Sequence, residues 1–390
     1  MASIKDATAV AGIGMTGFSL DSGRTEYSLA CEAIKAAADD AGIDLLDVDG
    51  IVTDVSDGID AMYVQKAVGI DNCTYASDSH FGTAPMMNAV TAIAAGIAHT
   101  VLYYRSVNGS SQRRAGSDFR AAKETKDNSL DLIRYDFYHP FGLLTPEGSI
   151  GMIVRRYLHE SGARPDQIGA ITAVCSEHAA KNPHATFYDA PITVDDYLES
   201  PLLVDPIREL DCAPAVDGAL AVVLTSAERA RDLRQPPALV MSVAQGTSTG
   251  GELLTSYNRD VISALPEMRL MGSELFETAG ISPADVDVAQ LDDRFAPLVP
   301  LQLEELGFCE RGQGPELCEG GKEIRLGGRL PLNTNGGFLG EGFLYGANVI
   351  EAVQQIRGTS ANQSSTADIV LVASGAGGPA DGLILRRQGT

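Results

Sequence analysis

Positive charge is scarce in this chain. Its 390 residues include 29 lysines and arginines against 52 aspartates and glutamates, which gives a formal net charge of −23. Such an acidic chain has little attraction for the phosphate backbone of nucleic acids or for an anionic membrane surface, so neither is an expected partner. A small anionic ligand is still compatible with this composition, because a few local arginines can hold a phosphate inside an acidic protein.

Cysteine is also sparse, and its spacing supports neither disulfides nor zinc. The six cysteines lie at positions 31, 73, 175, 212, 309 and 318, with no CxxC pair. Cys175 and His178 have CxxH spacing, but no second pair completes a set of four ligands, so no metal site is predicted. The first residues do not form a secretion signal, and free thiols in a reducing cytoplasm are the expectation.

One apolar stretch, residues 84–104, is long enough to suggest a membrane span. Asn88 and His99 interrupt it, and residues 95–99 are typical of a helix end that turns into a strand. A buried helix followed by a central strand is therefore predicted.

Apolar runs alternate with helical patterns along the chain. Residues 7–14, 48–53 and 219–225 are predicted strands, whereas the alanine-rich stretch 26–41, followed by Gly42, is a predicted helix. This β–α alternation indicates an α/β protein with a sheet buried between helices.

An internal repeat organises the fold. Residues 33–43 and the Asp-Val-Asp that begins at Asp47 resemble residues 272–281 and the Asp-Val-Asp that begins at Asp285. The two Ala-Gly pairs and the two triplets share an offset of 238 positions (279 − 41 and 285 − 47). A second helix and strand recur in the same order, 88–104 against 351–372. The repeat predicts a duplicated α/β unit.

The predicted domain organisation follows from this repeat. An N-terminal half consists of residues 1–105 with 148–235, and a C-terminal half consists of residues 236–390. Between the parts of the first half, residues 106–147 break the pattern with a polar, arginine-bearing and then aromatic segment. Excursions of this length are often lids or partner surfaces, so a loop or lid insertion is predicted.

Two places offer acids or bases. His80 stands on the turn before the first-half helix, where it is either functional or structural. Asp292 and Asp293 follow a predicted strand, so one of them is a candidate general base. The competing interpretation is that one of the two caps the helix running on to Leu306.

A third place is the stretch 333–348, which is rich in glycine and asparagine and precedes a predicted helix. A helix N-terminus preceded by glycines suits an oxyanion, a phosphate or a thioester carbonyl. Tyr345 could transfer a proton there or simply pack. A late glycine cluster that includes Gly375 and Gly377 could complete an oxyanion hole.

Two familiar motifs match in letters but fail in context. Gly12–Gly17 fits GxGxxG, yet no helix opens after it, which argues against dinucleotide binding. Gly246–Gly250 fits the GxSxG elbow of hydrolases, but the last histidine, His184, precedes the serine instead of following it. With no Walker A motif either, no nucleotide cofactor is predicted.

The chain resembles the thiolase superfamily, specifically its lipid-transfer-protein-like branch. The resemblance covers nearly the whole chain and is carried by stretches at 9–16, 155–159, 179–183, 302–309 and 327–334. The pattern is most similar to that of steroid side-chain-cleaving aldolase subunits. This resemblance implies a duplicated five-layer α/β/α/β/α fold, a homodimer, an acyl-CoA ligand, and a small OB-fold and zinc-ribbon partner protein.

Departures from the family pattern bear on the chemistry. Thiolases carry cysteines in the turn 79–83 and at Ser374, so covalent acyl-enzyme chemistry is not expected here. The resembling aldolases have tyrosines where this chain has Asp292 and Phe343, and histidines where it has Tyr345 and Asn335. A rewired acid–base pair and a degenerate site are the two interpretations, and rewiring is preferred because two of the replacements are ionisable.

The sequence therefore predicts retro-aldol cleavage of a β-hydroxyacyl-CoA thioester, with a steroid as the expected acyl body. The predicted catalytic residues are Asp292 as base, Tyr345 as acid and His80 nearby. The predicted enolate-binding residues are Asn335, Gly336, Gly337, Gly375 and Gly377. Coenzyme A enters only with the substrate. The alternatives are a non-catalytic acyl-CoA or lipid-binding subunit and a cysteine-independent acyltransferase.

Overall fold

The computed structural model describes residues 4–54, 61–79, 82–111, 138–248, 259–375 and 378–389. The strands are β1 Thr8–Met15, β2 Gly50–Asp54, β3 Tyr75–Ser79, β4 Thr100–Asn108, β5 Leu202–Val204, β6 Ile207–Arg208, β7 Asp217–Ser226, β8 Ala238–Gly246, β9 Val288–Gln290, β10 Ile369–Ser374 and β11 Ala380–Arg387. The helices are α1 Glu26–Ala41, α2 Ala61–Val68, α3 Ala84–Ala94, α4 Pro146–Ser161, α5 Pro165–Ala179, α6 Val194–Glu199, α7 Ala227–Ala230, α8 Pro266–Ala279, α9 Leu298–Glu305, α10 Gly314–Cys318, α11 Gly337–Gly340 and α12 Ala347–Arg357.

The main sheet repeats one strand arrangement. Nine of the described strands pair in the order β3-β2-β4-β7-β1-β8-β11-β10-β9. In the first half β2 is parallel to β3 and β4, and β4, β7 and β1 run antiparallel. In the second half β9 is parallel to β10 and to a bridge at Leu332, and β10, β11 and β8 run antiparallel. The halves join through the short β1–β8 pairing, which confirms the predicted repeat.

Three apolar cores hold five layers of secondary structure together. Alternate residues of a strand face opposite sides, so Leu102 and Tyr104 of β4 pack on the side of α1, whereas Val101 and Tyr103 face α3. The middle core also contains α12 from the second half, so α3 and α12 lie together between the two halves of the sheet. A third core packs α5, α8 and α9 on the other outer face. The result is the predicted α/β/α/β/α order.

The glycine motifs serve close packing of helix against strand. A Cβ on Gly12 or Gly14 of β1 would overlap backbone atoms of α1, and a Cβ on Gly246 of β8 would overlap the backbone of α8. Close packing of helix against strand thus gives Gly12, Gly14 and Gly246 a structural role. The hydroxyl of Ser248 in the rejected hydrolase motif donates to Glu267 Oε1 at 2.6 Å.

The predicted elements are largely confirmed. The helix at 26–41 has the predicted bounds, and the stretch 84–104 forms α3 and the start of β4. In the described part of the chain, no helix has the length and apolar character needed to cross a bilayer. The exact bounds of the two halves and of the 106–147 insertion stay predictions, and residues 112–137 of that insertion lie outside the described residues.

Candidate active site

Asp292 lies just beyond the carboxyl end of β9 and is fully buried. Gln302 of α9 fixes its backbone by donating to Asp292 O at 2.6 Å and accepting from Asp292 N at 3.1 Å. The carboxylate accepts the backbone N–H of Gly375 at 3.0 Å and pairs with Arg294 Nη2 at 3.2 Å. Asp292 is therefore a fixed carboxylate that carries negative charge opposite a guanidinium.

Tyr345 lies where the glycine-rich stretch meets α12, and only 2% of it is exposed. Its ring makes edge-to-face contacts with Phe338 and Phe343, with ring centroids 5.6 and 5.0 Å away. Burial raises the pKa of the phenol above its ordinary value, and the positive charges of Arg294 and Arg105 oppose this rise. At neutral pH the phenol therefore keeps its proton, as a general acid must.

The structure brings Asp292 and Tyr345 into one site, as predicted. Arg294 joins them, because its Cζ lies 5.7 Å from the centre of the Tyr345 ring while its Nη2 pairs with Asp292. The negative charge of Asp292 also acts on the phenol of Tyr345, whose pKa it raises. Their catalytic roles remain predictions.

Three further ionisable groups at the site, Arg105, Asp54 and Asp381, were missed from the sequence. Arg105 of β4 forms a buried ion pair with Asp54 at the end of β2, with Nη1 2.8 Å from Oδ2. Asp381 of β11 accepts the hydroxyl of Thr83 at 2.6 Å and also the backbone N–H of Thr83. Burial raises the pKa of Asp381 to about 7. Residues this far apart in the sequence form no local pattern that identifies them as neighbours. The position of Asp381 inside an apolar strand is nevertheless a signal that the sequence contains.

The glycine-rich stretch binds a carboxyl group, and that group belongs to the protein itself. Asp293 accepts the N–H of Phe338 at 2.8 Å and of Leu339 at 3.4 Å, at the start of α11. The prediction that one of these aspartates caps the helix running to Leu306 is wrong, since that helix has no side-chain cap. Asp293 instead caps α11, because the chain folds back so that the glycine-rich stretch lies against the end of β9.

The N–H groups predicted to hold an enolate donate within the protein. Gly336 N donates to Asn333 O at 2.9 Å, and Gly337 N donates to Asn335 Oδ1 at 3.0 Å. The N–H of Gly375 donates to Asp292 Oδ2. An enolate could use these donors only by displacing the internal acceptors. Gly377 and His80 lie outside the described residues.

Asn335 supports the loop through a buried network. Its Nδ2 donates to Glu341 Oε2 at 2.6 Å, and Asn182 donates to Glu341 Oε1 at 2.9 Å. Burial, together with the nearby carboxylate of Glu351, raises the pKa of Glu341 to about 8. The side chain of Asn335 thus holds the loop together in this structure.

Burial raises the pKa of each of the six cysteine thiols. All six are free, and the buried Cys175 donates to Asp293 Oδ2 at 3.5 Å. Burial raises the pKa of the Cys175 thiol well above its ordinary value, which keeps it protonated and unreactive. Ser374 is buried at the late strand end, where thiolases were expected to carry a cysteine.

The fold and the site define a thiolase-like α/β protein. A family model described as the thiolase C-terminal domain-like family matches residues 252–383. The chain is 44% identical over 390 residues to a steroid side-chain-cleaving aldolase of Thermomonospora curvata, covering 99% of both chains. It is 43% identical over 382 residues to a 17-hydroxy-3-oxo-4-pregnene-20-carboxyl-CoA lyase of Mycobacterium tuberculosis, covering 97% of this chain and 98% of that one.

A solved structure agrees with these relatives. The structure described as the Ltp2-ChsH2(DUF35) aldolase superposes with a TM-score of 0.93 at 42% identity, and 99% of each chain is covered. The chain belongs to the family of thiolase-like steroid side-chain-cleaving aldolases. The resemblance inferred from the sequence motifs is confirmed.

Proposed function

We propose that this chain cleaves a β-hydroxyacyl-CoA thioester by a retro-aldol reaction, and that the acyl group is a steroid side chain. The products are a ketone or aldehyde on the steroid and a short acyl-CoA. One observation carries the proposal. A fixed carboxylate, Asp292, and a protonated phenol, Tyr345, flank one guanidinium in a chain related over its full length to proteins named as such an aldolase and such a lyase.

The reaction needs a base and an acid that work in turn. Asp292 takes the proton of the β-hydroxyl, the Cα–Cβ bond breaks, and its electron pair forms the enolate of the short thioester. Tyr345 then gives its proton to the enolate carbon and becomes a tyrosinate. Transfer of the proton from Asp292 to the tyrosinate restores both groups. Arg294 pairs with Asp292 and lies beside the ring of Tyr345. Its positive charge stabilises the negative charge that each of these two groups carries in turn during the reaction.

No cofactor is proposed for this chain, because proton transfers and charge stabilisation suffice for the reaction and coenzyme A enters with the substrate. The donors of the glycine loops already bind Asp292, Asp293 and Asn335. We therefore propose that the guanidinium of Arg294 provides most of the stabilisation of the enolate. The enolate-binding role of the glycine loops is kept as a secondary proposal.

The burial of the catalytic residues is the reason for proposing a partner protein. Asp292 is 0% and Tyr345 2% exposed, so substrate reaches them only if part of the surrounding chain moves. We propose that an OB-fold and zinc-ribbon protein promotes this opening. The structural relative with a TM-score of 0.93 is named as an Ltp2-ChsH2(DUF35) aldolase. We further propose a homodimer through the half-exposed edge strand β3 and a cytoplasmic location, which six free thiols favour.

Product analysis tests the proposed function. The chain, alone and with a candidate partner, is incubated with a steroid β-hydroxyacyl-CoA, and the ketone and the short acyl-CoA are measured by mass spectrometry. We expect equal amounts of both products, formed faster with the partner. Cleavage at wild-type rates by both Asp292→Asn and Tyr345→Phe would remove the proposed roles of these residues.

The enclosed site favours one alternative, a non-catalytic subunit that binds acyl-CoA or lipid. Its charged groups and loop donors already satisfy one another, as they would in a degenerate site. Tight binding of the thioester without turnover, with and without the partner, would support this alternative over the aldolase.

A further inference from the structure

Two guanidinium groups lie close to the ring of Tyr345. The Cζ of Arg105 is 5.1 Å and the Cζ of Arg294 is 5.7 Å from the ring centre, both within the range of a cation–π contact of about 6 Å. Arg294 belongs to the second half of the chain and Arg105 to the first. The two halves of the duplicated fold thus meet at this tyrosine.

An aspartate at a strand end holds each arginine. Asp54, the last residue of β2, pairs with Arg105, and Asp292, just after β9, pairs with Arg294. The aspartates are 238 positions apart (292 − 54), which is the offset of the sequence repeat, and β2 and β9 occupy equivalent places in the sheet. Each half therefore contributes an equivalent aspartate, and each aspartate pairs with an arginine that lies beside Tyr345.

The Asp54–Arg105 pair is poorly explained by stability alone. Both side chains are buried, with 0% and 8% exposed. Removing two charges from water costs about as much as their attraction returns, so apolar residues of similar size commonly serve as well. An electrostatic effect on a neighbour is a better reason to place this pair in the core.

We propose that Arg105 is a positioning residue that stabilises the negative charge on the oxygen of Tyr345 after this phenol has protonated the enolate. This inference rests on the proposed function. The charged groups facing Tyr345 are Arg105, Arg294, Asp292 and Asp381. The two arginines oppose the two carboxylates and the low polarity of the core, so loss of Arg105 makes the tyrosinate harder to form.

A fluorinated tyrosine placed at position 345 measures this effect in the resting protein. Fluorination makes the phenol more acidic, and fluorine NMR follows its titration without any turnover. Arg105→Met is expected to raise the pKa of this residue by about one unit or more, equivalent to about a tenfold change in its ionisation equilibrium. Arg105→Lys is expected to recover part of the shift, because it keeps the charge.

The controls separate electrostatics from damage to the fold. Asp54→Asn combined with Arg105→Met leaves no unpaired buried charge and is still expected to raise the pKa. Arg357→Met breaks a partly buried ion pair, with Asp40 at 2.7 Å, and is expected to leave the titration unchanged. The inference is overturned if neither Arg105→Met nor the double variant with Asp54→Asn changes the pKa of the residue at position 345. It is also overturned if Arg357→Met shifts that pKa as much as Arg105→Met does.

Activity gives a second readout that distinguishes this inference from the proposed function. If the complex cleaves the thioester, Arg105→Met is expected to lower kcat about tenfold with little change in KM, and the fluorinated tyrosine is expected to recover part of this loss. A shifted titration in a protein that cleaves no β-hydroxyacyl-CoA supports the electrostatic role of Arg105 and refutes only the proposed function.

Discussion

Asp292 and Asp293 are adjacent, identical in chemistry and both buried, yet the same substitution is expected to affect them in opposite ways. Asp293 has no arginine partner among its described hydrogen bonds; it accepts backbone N–H groups of α11, and burial raises its pKa to about 7. Asp292 pairs with the buried guanidinium of Arg294. Replacement by asparagine removes the charge in each case and keeps nearly the same shape.

The effect of Asp293→Asn depends on pH. The ordinary pKa of this carboxyl is 3.8 and its folded value is about 7, so between these values the folded protein holds a proton that the unfolded chain has lost. The resulting stabilisation is fully present below the unfolded pKa and is lost as pH rises through about 7. A difference of about three units corresponds to about 4 kcal/mol at about 1.4 kcal/mol per unit. Asparagine does not titrate, so the Asp293→Asn variant does not lose this stability as pH rises.

Asp293→Asn is therefore expected to gain stability relative to the wild type as pH rises from about 4 to 8, and to equal or exceed it above pH 7. Asp292→Asn removes the carboxylate that pairs with the buried guanidinium of Arg294 and is expected to lose about 3–5 kcal/mol at neutral pH. Urea unfolding at several pH values, followed by circular dichroism, measures both. Equal losses in the two variants, or a stability difference for Asp293→Asn that does not change with pH, would refute this reasoning.

Two further substitutions have defined outcomes. Gly337→Ala places a methyl group on a backbone with φ of 63°, where it overlaps the carboxylate of Asp293; thermal unfolding should show a loss of at least about 2 kcal/mol, whereas Gly358→Ala, in open space, should lose about half as much. Tyr345→Phe keeps the contact with Phe338, so its melting temperature should stay near that of the wild type while steady-state cleavage falls by about two orders of magnitude.

The sequence predicted the elements and their duplication well, because both depend on local patterns. Alanine spacing and a following glycine identified α1, and a constant offset of 238 positions identified the equivalent elements of the two halves.

The electrostatic partners could not be predicted in this way. Asp293 caps a helix 45 positions away, and Asp381 meets Thr83 across 298 positions, so only the folded chain decides these contacts. The glycine-rich stretch was predicted to hold a ligand oxyanion, and this stays a prediction. In this structure the stretch holds the carboxyl group of Asp293, a partner that the local sequence gives no means of recognising.

The central claim is that Tyr345 protonates the enolate formed by carbon–carbon cleavage. A single turnover of the steroid β-hydroxyacyl-CoA in deuterated water, with mass analysis of the short acyl-CoA, tests it most directly. Wild-type enzyme should release acyl-CoA with one deuterium at the α-carbon, and Tyr345→Phe should form this product at least about a hundredfold more slowly. Equal rates of deuterated product from both proteins would contradict the account.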